Sequence, residues 1–196
     1  DFIGTTIDQD VIFKRNNVQS GWLDSNTVAF GNNSINPETN TGDFNAAFGD
    51  NALRLNTSGN RNTAIGSAAM ENNTTGFWNS ALGRYALHDN TTGPRNMAIG
   101  QEAAKFNTEG DSNVAIGFAA LKNNTTGSYN VAIGRSAVSG GTTGVAYGDN
   151  NIAIGYNTQL PTNSASNQMV LGNTSTNKTI LNGVTNASAP SDYYSS

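Results

Sequence analysis

The chain has 196 residues, 36% hydrophobic and 12% charged, with 22 glycines, no cysteine and a formal net charge of −4. That is too little apolar material for a conventional globular core and too little net charge for a disordered chain, and without cysteine there is neither a disulfide framework nor a thiolate metal site. Ten Lys and Arg, scattered and outnumbered by 14 Asp and Glu, argue against nucleic acid as a partner, and no apolar run is long enough for membrane insertion.

Residues 1–25 differ from the rest of the chain. DVIFKRNNVQSGWL reads as two short strands around an Arg15-Asn16-Asn17 turn, an N-terminal β cap or joint. The chain starts at Asp1 without a signal peptide, so it is expected to be a soluble piece of something longer. Asp8 and Asp10 have no liganding loop after them, and no metal or cofactor is expected there.

From residue 26 to about 160 one phrase recurs. Glycines ending its strand-like part fall at Gly31, Gly49, Gly66, Gly83, Gly100, Gly117, Gly134, Gly148, Gly155 and Gly172, spaced 18, then 17 five times, then 14, 7 and 17. The unit reads N-x-A-aliphatic-G-x-x-A-L-x-x-N-T-T-G-x-x and is best kept from Asn45 to Gly144. Before each glycine stands a large apolar residue, for example Ile65, Leu82, Ile99, Ile116 or Ile133, and two positions earlier another side chain on the same face of a short strand. The residue between them is alanine in nine of ten copies, with Val170 the exception. Both faces are therefore expected to be buried. The large residues would fill the core of their own coil, and Ala64, Ala81, Ala98, Ala115 and Ala132 would meet a sister chain.

After the glycine, SAAMEN, RYALHD, QEAAKF and FAALKN favour one helical-type turn by propensity, and Asn-Thr-Thr-Gly then reverses the chain. Asn62, Asn79, Asn96, Asn113 and Asn130 either form a hydrogen-bonded ladder or each cap their own bend. A single unit cannot offset the entropy of ordering 17 residues, so stability must come from stacking, at about 4.8 Å per strand. The expected fold is mainly β, a β-solenoid of about 17-residue coils, closed over residues 161–196 by a strand-like segment, NQMVLGNTSTNKTILNG, and a polar tail. The small-residue face asks for a partner about a three-fold or a two-fold axis, which the spacing does not distinguish.

The phrases NTAIG, NMAIG, NVAIG and NIAIG, with NQMVLGN near the end, resemble the repeats of trimeric autotransporter adhesin heads. With NTTG included, the unit looks still more like bacteriophage tail fibres and tail-fibre-like proteins of bacteria. The resemblance covers about Asn26 to Gly183 and implies a β-roll assembled as a homotrimeric fibre. It also implies an extracellular, non-enzymatic role in host attachment or cell adhesion, with a cell-surface glycan or protein as receptor. The repeats of adhesin heads are usually shorter than 17 residues, and these 196 residues include no sequence of the chaperone that commonly follows MVLGN...TILNG in such fibres.

Signatures of catalysis are missing too: there is no G-x-S-x-G elbow, phosphate loop or H-E-x-x-H. The lone histidine, His88, sits where other copies carry Asn72, Lys122 and Ser139, a solvent-facing position. The acids Asp50, Glu71, Asp89, Glu102, Asp111 and Asp149 fall at different repeat offsets. Only Glu102 and Asp111 are placed to approach across a coil, and a fibre-borne glycan depolymerase is the alternative reading. An ice-binding solenoid is the third, although its threonines should lie two apart and these are adjacent.

Recognition should use positions that vary among copies. Pairs after each NTTG do so, among them Asn60-Arg61, Phe77-Trp78, Pro94-Arg95 and Ser128-Tyr129, as do pairs after the core glycine such as Arg84-Tyr85. Phe77, Trp78, Tyr85 and Arg95 are the candidates for glycan contact, because aromatic rings stack on sugars and polar groups bond their hydroxyls. Packing against a neighbouring loop or chain is the competing role for the same side chains.

Overall fold

A computed structural model describes residues 11–15, 18–140 and 147–175. Asp8, Asp10, Asn16, Asn17, Val145, Ala146, the TILNG phrase and the polar tail lie outside the described residues. Eleven strands form one sheet in chain order: β1 (Val11–Arg15), β2 (Val18–Leu23), β3 (Val28–Phe30), β4 (Ala46–Phe48), β5 (Thr63–Ile65), β6 (Ser80–Leu82), β7 (Met97–Ile99), β8 (Val114–Ile116), β9 (Val131–Ile133), β10 (Ile152–Ile154) and β11 (Met169–Leu171). The first two make an antiparallel hairpin laid antiparallel on β3. From β3 to β11 every pair is parallel, with like positions of the repeat in register, as Ala64 with Ala81 and Ile65 with Leu82. The chain is thus a β-solenoid in which each 17-residue coil contributes one three-residue strand, and eight strand steps make it about 38 Å long.

The facing of the strands is opposite to the expectation. Ala29, Ala47, Ala64, Ala98, Ala115, Ala132 and Ala153 are fully buried and Ala81 is 1% exposed, all within a single chain. The large residues point outward. Ala64, Ala81, Ala98, Ala115 and Ala132 therefore cannot be contacts between chains. The reason is volume: a 17-residue coil is thin, and its interior already holds Leu53, Met70, Leu87 or Leu121 from the opposite wall, each fully buried with an alanine beside it. Alternation then forces Ser80 and Leu82 outward once Ala81 points in.

No helix forms after the glycine among the described residues. Instead every second residue takes positive φ: Gly83 at 137°, Tyr85 at 60° and Leu87 at 49°, repeated in Gly66, Ala68 and Met70 and in Gly117, Ala119 and Leu121. This alternation turns peptide N–H groups along the solenoid axis rather than along the chain. Tyr85 N–H donates to Ser67 on the preceding coil at 3.1 Å, and Leu87 N–H donates to Ala103 on the following coil at 3.0 Å. Helix propensity loses because bonds between coils satisfy the same backbone groups and extend through the whole stack. For Leu87, the left-handed conformation costs about 1–2 kcal/mol, and full burial of its side chain returns about as much or more.

Both roles considered for asparagine occur, in two buried rows. In the row preceding the strands, Asn62 Oδ1 accepts the N–H of Asn79 at 3.0 Å while Asn62 Nδ2 donates to the carbonyl of Gly76 at 2.8 Å. The second row is the asparagine of NTTG. Asn73 Nδ2 donates to Asn56 Oδ1 at 2.7 Å and to Gly76 of its own turn at 3.0 Å, so it is ladder and cap together. Beside it, Thr74, Thr91 and Thr108 donate from their hydroxyls to the matching threonine carbonyl of the next coil at 2.9–3.1 Å.

The interval of 14 and 7 is one enlarged coil. Asn151 follows Asn130 by 21 residues, and Asn151 Nδ2 bonds Gly148 at 3.0 Å as Asn45 bonds Gly42. Gly148 therefore occupies the NTTG-glycine register, and Tyr147 lies outside the strands. Tyr147 is 3% exposed, donates its hydroxyl to the Gly140 carbonyl at 2.6 Å, and has its pKa pushed up to about 12 by burial. Asn130 Nδ2, which meets this enlarged coil, has no hydrogen bond among the described residues. At the other end of the stack Trp22, 4% exposed and in register with Ala29, closes the interior.

Candidate binding surface

The outward strand positions form a continuous apolar row. Phe30, Phe48, Ile65, Leu82, Ile99 and Ile154 are 37–48% exposed, and Ile116 and Ile133 continue the row half-buried. Phe30 stacks on Phe48 with centroids 5.9 Å apart, and Phe13 of the hairpin packs on Phe30 at 5.5 Å, so the row reaches past the first coil. The seven steps from Phe30 to Ile154 span about 34 Å, and a face about 10 Å wide covers roughly 340 Å², within the range of the largest apolar patch on a typical monomer, which is often functional.

At the corner where the NTTG turn enters the strand lies a second column: Phe44, Arg61, Trp78, Arg95, Ser112, Tyr129, Asn150 and Asn167. All eight residues have positive φ, between 55° and 62°. From Arg61 onward their N–H groups bond the preceding coil in the same way, Trp78 to Asn60, Arg95 to Phe77 and Asn150 to Ser128. Aromatic and cationic groups alternate over four coils: the Arg61 guanidinium lies 5.2 Å from the Phe44 ring centroid, and that of Arg95 lies 5.3 Å from Trp78 and 5.4 Å from Phe77. Phe77 and Trp78 meet edge to face at 5.3 Å, and Arg95 also pairs with Asp111 at 3.3 Å. Arg61 donates to Asn60 at 3.2 Å and pairs with no carboxylate among the described residues.

Three of the four glycan-contact candidates are thus brought together, Phe77, Trp78 and Arg95. Tyr85 belongs to a separate cluster at the other corner of the coil, under Arg84 at 4.5 Å and Lys105 at 5.0 Å and edge-on to His88 at 5.3 Å. Phe44 escaped the sequence reading because its coil lacks NTTG. The signal was the retained G-x-x-N spacing, Gly42 to Asn45, matching Gly59 to Asn62.

His88 is half-buried rather than solvent-facing, and its register partner is Glu71, not Asn72. Its Nδ1 lies 2.6 Å from Asp89 and its Nε2 3.4 Å from Glu71, whose other oxygen takes Arg54 Nε at 2.8 Å. These groups tie three successive coils together. Glu102 and Asp111 do not pair with each other: Lys122 holds Glu102 at 2.7 Å, and that hydrogen bond is the main reason its carboxyl pKa is lowered, while Asp111 faces Arg95. No cluster of metal-ligating side chains occurs among the described residues, and no helix among them is long and apolar enough to cross a membrane. Compared with known proteins, the chain matches no family model, no curated protein and no solved structure.

Proposed function

We propose that the chain is a structural and adhesive, non-enzymatic segment of a homotrimeric extracellular fibre, of the phage tail-fibre or bacterial-adhesin kind, that presents receptor contacts to a cell surface. The observation that carries this reading is the apolar outer row of Phe30, Phe48, Ile65, Leu82 and Ile99. A solenoid already has its core inside, so a second apolar row outside it calls for another surface to cover it. Three slender coils meeting about an axis cover three such rows at once, and the uniform axial step keeps them in register along the rod. The contact between chains is then the outer strand face, in place of the alanine face.

The repeat resemblance supports the same reading, and so does the stacking of hydrogen bonds along a single axis, which suits a shaft that bears load lengthwise. Light scattering tests the assembly. A mass of 61.2 kDa, three times 20.4 kDa, is expected, and a stable monomer at micromolar concentration would remove the reading.

A further inference from the structure

We propose that the corner column Phe44–Arg61–Trp78–Arg95, with Phe77 beside it, binds a carboxylate-bearing polysaccharide. This rests on the reading of the segment as one that presents receptor contacts, and it names the ligand class.

The residue choice in the column is the first ground. The backbone demands positive φ at this corner in every coil, a demand that glycine and asparagine meet at least cost. Asn150 and Asn167 meet it in that way. Phe44, Trp78 and Tyr129 do not, and they are 54%, 49% and 59% exposed. Inside the coil, Leu53, Met70 and Leu87 adopt the same unfavourable conformation and are fully buried, so burial explains them. At the exposed corner Trp78 packs on Phe77 and Arg95, and Phe44 lies under Arg61, yet both rings stay about half exposed. Strain held with so little burial in return is characteristic of positions kept for contact with something else.

Chemistry is the second ground. Rings and guanidinium groups alternate at the strand spacing, so like groups recur about every 9.6 Å along the axis. A ring offers an apolar face to a pyranose, and a guanidinium, with its planar fork of donors, suits a carboxylate. Arg61 has no carboxylate partner among the described residues, and Arg95 keeps donors beyond the single contact to Asp111. A polymer with acidic groups at intervals matches a repeating row better than a compact ligand does.

The test uses the full chain and oligomers of polygalacturonate, alginate and hyaluronate, with maltoheptaose as the neutral control, by calorimetry or biolayer interferometry. At least one acidic oligomer should bind, more weakly as salt rises, and maltoheptaose should bind at least tenfold more weakly. Trp78→Asn and the pair Arg61→Gln with Arg95→Gln should each lower affinity tenfold or more. The melting temperature of Trp78→Asn should be unchanged or raised, because asparagine accepts the corner conformation; that readout separates ligand contact from structural packing. Binding of none of the acidic oligomers, equal binding of maltoheptaose, or unchanged affinity in the variants would overturn the proposal. So would a Trp78→Asn variant that loses assembly mass while keeping its affinity, since the column would then belong to the contact between chains. The mass of the unsubstituted chain tests the fibre reading separately.

Discussion

Asn90 Nδ2 donates to Asn73 Oδ1, 2.8 Å away on the preceding coil, and to the carbonyl of Gly93 in its own turn at 2.9 Å. One side chain thereby links two coils and closes a turn, and its own oxygen accepts from Asn107 at 3.0 Å. Asn90→Ala should cost about 1–3 kcal/mol by leaving Asn73 Oδ1 buried without a donor. Asn90→Asp should cost about 3–5 kcal/mol at neutral pH, because a buried acceptor-only carboxylate would face two oxygens. Burial raises the folded-state pKa of such a carboxyl, so stability should be recovered below the unfolded value of about 4 and lost as pH rises through the folded value. Urea unfolding at pH 3 and pH 7 checks this; equal stability of Asn90→Asp and the unsubstituted chain at pH 7 would show that the row is not a continuous ladder.

The observed facing makes opposite demands on neighbouring residues. Ala115→Leu should destabilise the single chain by about 1–3 kcal/mol or more, since the interior beside Leu121 has no room for three extra carbons. Ile65→Asp, at a position 40% exposed, should leave the unfolding temperature of the separated chain nearly unchanged and lower the mass in solution. Paired melting and light-scattering measurements decide the matter, and the reverse pattern would mean that the large residues point inward.

Gly83 has φ of 137°, and a Cβ there would lie 2.6 Å from the carbonyl carbon and oxygen of Gly100 on the next coil. Gly83→Ala should therefore cost about 3 kcal/mol or more, from backbone strain and from a clash with main chain that cannot rotate away. Because the same glycine stacks on its counterparts, the coils on either side should lose hydrogen-exchange protection together.

Tyr147 supplies the alkaline limit. Its phenol titrates near 10 when unfolded and at about 12 when folded, raised by burial. A raised folded value means that stability is fully present below about pH 10 and is lost as pH climbs towards 12. Tyr147→Phe should remove this alkaline loss while costing about 1 kcal/mol at neutral pH, the worth of the hydrogen bond to Gly140. An unchanged alkaline profile in that variant would place the titration elsewhere.

Periodicity determined the coil length, nine of the ten expected strand positions and the register of the regular coils, and the strand-turn-strand pattern around Arg15-Asn16-Asn17 determined the N-terminal hairpin. A residue that returns every 17 positions can stack only on its own counterparts, and Ala64 on Ala81 follows directly. Which side of the strand faced in was settled by tertiary volume. Nothing in N-x-A-I-G by itself says whether alanine or isoleucine points to the core, and the answer lies in Leu87 of the opposite wall, which fills the space that alanine leaves. The same holds for the segment after the glycine: its helix-favouring residues became an alternating turn because neighbouring coils offered the hydrogen bonds that a local helix would have closed. The corner column was legible as variable pairs, yet its alternation of rings and guanidinium groups, and the uniform positive φ beneath it, exist only once the coils are stacked.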